Sequence, residues 1–166
     1  SDGTNTSATE TVVVNINDLN DEQPVVTPAG PFSLDENSSV STSVATMTAT
    51  DGDAGATFIW SITSGNTDVD SDTNPPFTIN ASSGEITVND TEDLDFESGT
   101  IAFSLGIEAN DGSNTSVTET VIINLNDLND NVPSISVGGP FFIDENSAFG
   151  TSVTTAVATD ADASTT

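Results

Sequence analysis

The five-residue phrase Asn-Asp-Leu-Asn-Asp occurs twice in the chain, at residues 17–21 and again 109 residues later, at 126–130. The same offset relates residues 1–57 to residues 110–166, which are identical at 33 of 57 positions. A long, fixed period of this kind is typical of an array of similar domains joined head to tail. A unit of about 109 residues is also large enough to enclose one hydrophobic core.

The repeat divides the 166 residues into one complete unit and two partial ones. We expect residues 24–132 to form a complete repeat. Residues 1–23 should supply the C-terminal strands and the linker of a preceding repeat, and residues 133–166 should begin the next one. On this interpretation the sequence is a segment of a longer protein.

The charge of the chain comes from acids alone. It has 27 acidic residues and no lysine, arginine or histidine, which gives a formal net charge of −27. Two carboxylates about 4 Å apart repel each other by roughly 4 kcal/mol at an effective dielectric constant near 20, so a cluster of acids needs neutralisation. This charge argues against nucleic acid and anionic membrane surfaces as partners.

The composition also argues against catalysis. The chain has no cysteine, histidine, lysine, arginine or tyrosine, so it lacks most side chains that act as nucleophiles or general bases. A pair of carboxylates of the kind used by retaining glycosidases remains, but that chemistry needs an open groove. We therefore predict that the chain is not an enzyme.

Short runs rich in Val, Ile, Thr and Phe alternate with Gly, Asn, Asp and Ser, and no segment has a helical period. Alternating apolar residues predict two long strands, 101–109 and 117–125, joined by a hairpin. Five shorter strands are expected at 32–35, 44–50, 57–63, 77–80 and 85–88. Seven short strands in about a hundred residues predict an all-β, antiparallel sandwich. The expected core aromatic and Met residues are Met47, Phe58, Trp60, Phe77 and Phe103.

The acidic residues should gather at the two ends of this sandwich, because strands that run from end to end place the chain junctions at opposite poles. The far pole, where the chain leaves the repeat, should hold Glu36, Asp95, Glu97 and residues 127–131. The near pole, which faces the preceding linker, should hold Asp51, Asp53 and Asp111. Stacked repeats would join the two sets into a cage of oxygen ligands, which suits Ca²⁺ better than Zn²⁺ or Mg²⁺.

A second group of acids is expected to form a solvated surface instead. Its members are Asp68, Asp70, Asp72, Asp90, Glu92 and Asp93. The spacing Asp68-x-Asp70-x-Asp72 is similar to the start of an EF-hand loop. However, the sixth position is Thr73 instead of Gly and the twelfth is Ile79 instead of Glu, so we reject an EF-hand and interpret this segment as a solvated loop, with an accessory ion as the alternative.

Five short motifs, in one order along the chain, resemble those of tandem cadherin repeats, and the resemblance covers essentially the whole sequence. They are Asp35-Glu36-Asn37, Asp51-Gly52-Asp53, Leu94-Asp95-Phe96-Glu97, Ala109-Asn110-Asp111 and the linker at 127–133. The resemblance implies a seven-stranded Greek-key β-sandwich, repeated head to tail outside the cell, with about three Ca²⁺ ions in each linker.

The resemblance also implies the calcium ligands of the linker that follows the complete repeat. The outermost ion would be held by Glu36, Asp95, Glu97 and Asp130. The middle ion would be held by Glu36, Glu97, Asp127, Asp130, Asp162 and the Leu128 carbonyl. The third ion would be held by Asn129, Asp160, Asp162 and the Asn131 carbonyl, with a remaining ligand beyond Thr166.

For the linker before the complete repeat, the resemblance implies that this chain supplies the ligands of the third ion and only some of the ligands of the other two. Its third ion would be held by Asn20, Asp51, Asp53, Asp111, the Glu22 carbonyl and, as a further candidate, the Gly55 carbonyl. Asp18, Leu19 and Asp21 would serve the other two ions, whose remaining ligands belong to the preceding repeat. Glu145, the counterpart of Glu36 in the next repeat, is likewise a candidate metal ligand. Glu22 stands where the family usually has Asn, which matters little for a main-chain ligand.

Two departures limit what the resemblance implies. There is no tryptophan in an N-terminal strand-swapping position, so homophilic adhesion of the vertebrate type does not carry over. The lack of lysine and arginine is unlike animal cadherins and is more typical of long repeat arrays in microbial surface proteins.

The leading hypothesis is a calcium-stiffened spacer within an extracellular adhesin or surface fibre. Its partners would be neighbouring repeats of the same chain, together with other copies or a cell-surface or matrix ligand, and it would make no direct membrane contact. One alternative is a self-assembling structural fibril, glycosylated at some of its Asn-x-Ser/Thr sites. The other is a carbohydrate- or protein-binding module, which would need exposed aromatic residues on one face.

Overall fold

A computed structural model of the chain describes residues 2–162, which form β-strands and one short 3₁₀ turn at Phe96–Ser98. The strands of the complete repeat are β1 Val25–Val26, β2 Phe32–Asp35, β3 Ser43–Thr46, β4 Ala49–Thr50, β5 Ile59–Ser64, β6 Phe77–Ile79, β7 Glu85–Val88, β8 Ala102–Asn110 and β9 Glu119–Asn126. After it come β10 Ser134–Ser136 and β11 Val157–Thr159. Nowhere in residues 2–162 is there a helix with the length and hydropathy of a membrane span.

Two sheets form the sandwich of the complete repeat. One has the strand order β2-β9-β8-β5 and the other has the order β3-β7-β6, while β1 and β4 make a separate pair. β8 and β9 form the predicted antiparallel hairpin. β2 pairs with β9 in parallel, and the remaining strand pairs of the repeat are antiparallel. The predicted all-β sandwich is therefore confirmed, and each of the seven predicted strands is present in whole or in part.

The core lies between the two sheets and is built by the alternation of apolar residues along the strands. On β8, Phe103, Leu105 and Ile107 are buried, and each such side chain contributes roughly 1.5–3 kcal/mol by leaving water. The ring of Phe77 on β6 meets that of Phe103 edge to face, with centroids 5.1 Å apart, and so connects the sheets. The predicted core residues Met47, Trp60, Phe77 and Phe103 are buried, and Phe58 is half-buried.

Three details differ from the predicted strands. The strand expected at 44–50 is divided into β3 and β4, because its two halves pair with different strands, β3 with β7 and β4 with β1. Ile101 was expected in the buried stripe but is 57% exposed, since it precedes β8. The parallel pairing of β2 with β9 and the short strand β1 were not predicted.

This topology places the acidic segments at the two ends of the repeat. β2 and β9 run in the same direction and end together, with Asp35 opposite Asn126, so the segments after them leave the sandwich side by side. At the other end, β8 finishes at Asn110, opposite Ile59 at the start of β5. The far pole is therefore built from the ends of β2 and β9, and the near pole from the β8–β9 hairpin.

Candidate metal sites

The far pole is organised around the carboxylate of Glu36, which is only 1% exposed. Its Oε2 accepts a hydrogen bond from the Phe96 N–H at 2.7 Å, and its Oε1 accepts one from the Leu128 N–H at 2.6 Å. The first bond holds the 3₁₀ turn and the second holds the linker. One side chain therefore ties both segments to the end of β2.

Two further carboxylates lie beside Glu36. Asp95 caps the 3₁₀ turn by accepting from the N–H groups of Glu97 and Ser98, at 3.0 and 3.2 Å. One oxygen from each of Glu36, Asp95 and Glu97 lies within 4.8 Å of the other two. The structure thus brings together three of the four side chains predicted for the outermost ion.

Glu97 is the most perturbed acid of this pole. Burial, followed by the negative charges of Glu36 and Asp127, raises its pKa from 4.5 to about 7. Its Oε1 is buried and has no hydrogen-bond partner among the described residues. With this pKa, the Glu97 carboxyl group is only about half ionised at neutral pH, and a nearby cation would favour its charged form.

A second group of carboxylates joins the complete repeat to the segment after it. Oxygens of Glu97, Asp130 and Asp162 lie within 4.8 Å of one another. Asp162 is 3% exposed and accepts from the N–H and the Nδ2 of Asn131, at 3.2 and 3.0 Å. Asn37 Nδ2 donates to Asp130 Oδ2. The three acids come from the repeat body, the linker and the following segment, and Glu97 belongs to both groups.

At the near pole the carboxylate oxygens of Asp51, Asp53 and Asp111 lie within 4.8 Å of one another, as predicted for one end of the repeat. Asp111 Oδ1 accepts from the N–H groups of Ser113 and Asn114, both at 2.7 Å, and these bonds lower its pKa. Two oxygens of this group, Asp51 Oδ2 and Asp111 Oδ2, are buried and have no hydrogen-bond partner among the described residues.

The preceding linker reaches this pole and helps to enclose it. The N–H of Glu22 donates to Asp53 Oδ2 at 2.9 Å, and Asn20 Nδ2 donates to the Asp111 carbonyl at 3.3 Å. The Ala54 N–H donates to Asp18 Oδ2 at 2.7 Å. Asp18, Leu19 and Asn20 of this linker line a cavity of about 230 Å³, and Asp53, Gly55 and Asp111 are among the residues that line it from the repeat.

Other predicted ligands are less closely associated with these groups. The Glu22 carbonyl accepts from Asn114 Nδ2 at 2.9 Å, and the Leu128 carbonyl accepts from the Asp130 N–H at 3.0 Å. Asp160 Oδ1 accepts from the Asp162 N–H at 3.3 Å. Asp21 and Glu145 are exposed and join none of the carboxylate groups found among residues 2–162, and Asn129 is also exposed. Asp127 is half-buried beside Glu97, on whose pKa its charge acts.

Two acids were wrongly assigned to the solvated surface. Asp93 is fully buried and Asp90 is 8% exposed. Both lie in a polar stretch, which is why composition suggested a loop in water. The signal that could have corrected this is their position just before Leu94, which is fully buried and anchors the motif that carries Asp95.

The donor sets at both poles fit Ca²⁺. Every available side-chain ligand is a carboxylate or amide oxygen, which is the ligand type that calcium prefers. With no lysine, arginine or histidine in the chain, no side chain of opposite charge is available to pair with the buried oxygens of Asp51, Glu97 and Asp111. Unpaired buried carboxylate oxygens are costly, and a cation bound at each pole would compensate for them.

The comparisons with known sequences agree with the motifs. A family model described as the cadherin domain matches residues 31–126. Human protocadherin gamma-A2 is 35% identical over 130 residues, which are 76% of this chain and 13% of that protein. The protocadherin-like wing polarity protein stan of Drosophila melanogaster is 34% identical over 164 residues, which are 94% of this chain and 4% of that protein. The chain therefore spans only a small part of these relatives.

Solved structures resemble the fold over most of its length. Mouse cadherin-23 EC22-24 is 31% identical, with a TM-score of 0.67 over 88% of this chain and 46% of that one. The extracellular domain of protocadherin GammaB4 is 28% identical, with a TM-score of 0.74 over 92% of this chain and 26% of that one.

Proposed function

The chain belongs to the cadherin family, and we propose that it is a calcium-binding repeat of an extracellular adhesion protein, in which Ca²⁺ ions between successive repeats fix their relative orientation. The observation that carries this proposal is the group formed by Glu97, Asp130 and Asp162, since its members come from the two sides of one linker and from the linker itself. An ion held there would connect the two repeats directly.

The residues fall into two sets of ligands. After the complete repeat, Glu36, Asp95, Glu97, Asp127, Asp130 and Asp162 would hold the ions, together with Asn129, Asp160 and the carbonyls of Leu128 and Asn131. Before it, Asp51, Asp53, Asp111, Asn20 and the Glu22 carbonyl would hold one ion, and Asp18, Leu19 and Asp21 would serve others. We propose about three ions per linker.

When bound, calcium supplies positive charge and a coordination shell that accepts six to eight oxygen ligands. The chain's own part is to place its carboxylates in advance. Glu36 is held by hydrogen bonds on both of its oxygens, and Asp95 is fixed as the cap of the 3₁₀ turn. Affinities typical of extracellular modules, with Kd roughly 10⁻⁴ to 10⁻³ M, would keep the sites filled outside the cell.

On this proposal the repeat is a structural element at the cell surface. Its immediate partners are the neighbouring repeats of the same chain. Either an adhesin or a surface fibre would use such a spacer. Catalysis has no part in the proposal.

The proposal is tested by measuring the order of the linker directly. In ¹⁵N-labelled protein, the heteronuclear NOE of the amides at 128–132 should be low in excess chelator and should rise to the values of β8 and β9 in millimolar Ca²⁺. Mg²⁺ at the same concentration serves as the control for ionic strength. A linker that is equally ordered in chelator, or equally mobile in calcium, would contradict calcium-dependent rigidity.

A further inference from the structure

The proposed function gives no role to the five Asn-x-Ser/Thr motifs of the chain, which begin at Asn5, Asn37, Asn80, Asn89 and Asn114. In a secreted protein, the side-chain amide of such an asparagine is the acceptor for an N-linked glycan. A glycan is bulky and hydrophilic, so it fits only an amide nitrogen that faces solvent in the folded chain. The five amides differ in the surroundings of this nitrogen.

Two of these asparagines lie at the poles and contact the linkers. Asn37 Nδ2 donates to Asp130 Oδ2, and Asn114 Nδ2 donates to the Glu22 carbonyl at 2.9 Å. Both acceptors belong to proposed calcium ligands, so a sugar on either nitrogen would lie against a linker and take space that the ions need. Asn5 is the counterpart of Asn114, 109 residues earlier, and in a complete repeat it would meet a linker in the same way.

The motif at Asn89 is held by the body of the repeat. Asn89 is half-buried, and its Nδ2 donates to the Pro75 carbonyl at 2.8 Å. The middle residue of the motif, Asp90, is 8% exposed. The hydroxyl of Thr91, the third residue, donates to the Ser38 carbonyl at 3.0 Å. Each residue of this motif is therefore engaged in the fold.

Asn80 differs from the other asparagines of the complete repeat because its amide nitrogen is free. It is exposed and follows β6, in the turn to β7, where its N–H donates to the Glu85 carbonyl at 2.8 Å. Its Oδ1 accepts from the N–H groups of Ser82 and Ser83, at 2.9 and 3.0 Å. These bonds, of a kind that asparagine makes in tight turns, fix the side-chain amide with its oxygen toward the backbone. Nδ2 has no hydrogen-bond partner among the described residues.

We propose that Asn80 is the N-glycosylation site of the complete repeat, with a lipid-linked oligosaccharide diphosphate as the donor. In the transfer, Nδ2 attacks the anomeric carbon of the first sugar and forms a C–N bond. The bond from that carbon to the diphosphate oxygen breaks, and the lipid diphosphate leaves with its electron pair. Nδ2 gives up one of its two protons to a base of the transferase and keeps the other, and nothing is oxidised or reduced.

The position of Asn80 keeps the glycan apart from calcium binding. Neither Asn80 nor Ser82 is among the proposed calcium ligands, and the turn carries none of the grouped carboxylates found in residues 2–162. Ser82, whose hydroxyl completes the motif, is exposed and makes no side-chain hydrogen bond to the described residues. A glycan on this turn would therefore leave both poles and their linkers unchanged.

The test is to secrete the chain from a eukaryotic host that performs N-glycosylation and to measure its intact mass before and after enzymatic release of N-glycans. Release in ¹⁸O-labelled water converts each glycosylated asparagine to labelled aspartate, which identifies the site. Because the chain has no lysine or arginine, peptides are prepared with a protease that cleaves after acidic residues. In the folded, secreted protein the label should appear at Asn80 in most molecules, and at Asn37, Asn89 and Asn114 in few or none.

Ser82→Ala removes the motif but keeps Asn80 and the backbone bonds of the turn, so the mass of the glycan should be lost. The matched control is Ser82→Thr, which keeps the motif and should keep the glycan. The proposal is overturned if Asn80 is unlabelled in the secreted protein, or if the glycan mass persists unchanged in Ser82→Ala. Both variants should retain the calcium dependence of the linker amides, so failure of this site is distinguishable from failure of the linker sites.

Discussion

Replacing Glu36 with glutamine should change the thermal stability of the chain in opposite directions with and without calcium. The carboxylate of Glu36 is buried, and one of its oxygens lies within 4.8 Å of an oxygen of the half-buried Glu97, whose pKa the charge of Glu36 raises. Two unit charges at that separation repel each other by about 3.5 kcal/mol at an effective dielectric constant of 20. The amide of glutamine has no charge and removes this repulsion.

The substitution also has a cost. Glutamine keeps one acceptor oxygen, so it loses one of the two hydrogen bonds from Phe96 and Leu128, and a bond to a charged group contributes about 1.5–3 kcal/mol. Without calcium the relief is larger than the loss, and Glu36→Gln should stabilise the fold by about 1 kcal/mol, which raises Tm by about 4–8 °C. With calcium bound the ion already cancels the repulsion, so only the loss remains and Tm should fall.

The assay is calorimetric unfolding at pH 8, in excess chelator and in millimolar Ca²⁺. Glu145→Gln is the matched control, because Glu145 occupies the same motif 109 residues later but is exposed and joins no carboxylate group within residues 2–162. It should leave both melting temperatures unchanged. If Glu36→Gln lowers Tm equally in the two conditions, then Glu36 is only a hydrogen-bond acceptor and the reasoning is refuted.

Two further outcomes are expected. Because the folded-state pKa of Glu97 is about 7 instead of 4.5, its contribution to stability is fully present below pH 4.5 and is lost as the pH rises through 7. The Tm of the calcium-free chain should therefore fall between pH 5 and pH 8, and a Glu97→Gln variant whose Tm kept the same slope would contradict this assignment. Gly65→Ala should destabilise the fold by more than about 2 kcal/mol in calcium and in chelator alike, since φ is +74° and the added Cβ would lie 1.8 Å from the Ser104 carbonyl oxygen. Denaturant unfolding measures this loss, and a change below about 0.5 kcal/mol would show that the backbone can relax there.

The sequence predicted most of the fold because the local signals were strong. Alternation along β8 and β9, with Asp111-Gly112 between them, placed the hairpin correctly. The acids at each pole also came together as expected, since residues that follow the ends of neighbouring strands must meet at one end of a sandwich. That inference required only the strand positions.

What the sequence did not predict depends on contacts between distant segments. The parallel pairing of β2 with β9 leaves no local pattern in the sequence. The composition of a strand of four residues does not indicate which edge of a sheet it joins. The break between β3 and β4 comes from a change of pairing partner, from β7 to β1. Asp93 is buried by a loop more than twenty residues earlier, so its polar neighbours in sequence gave a misleading indication of exposure.

The absence of basic side chains gives Glu97 its particular role. In an ordinary protein an acidic cluster is neutralised in part by lysine or arginine, but here the available counter-charges are solution cations and protons. Glu97 belongs to the group with Glu36 and Asp95, at the end of the repeat, and to the group with Asp130 and Asp162, across the linker. Its raised pKa means that without a cation one proton partly neutralises both groups. If calcium displaces that proton, as proposed, then ordering of the repeat end and fixing of the next repeat occur through one shared ligand.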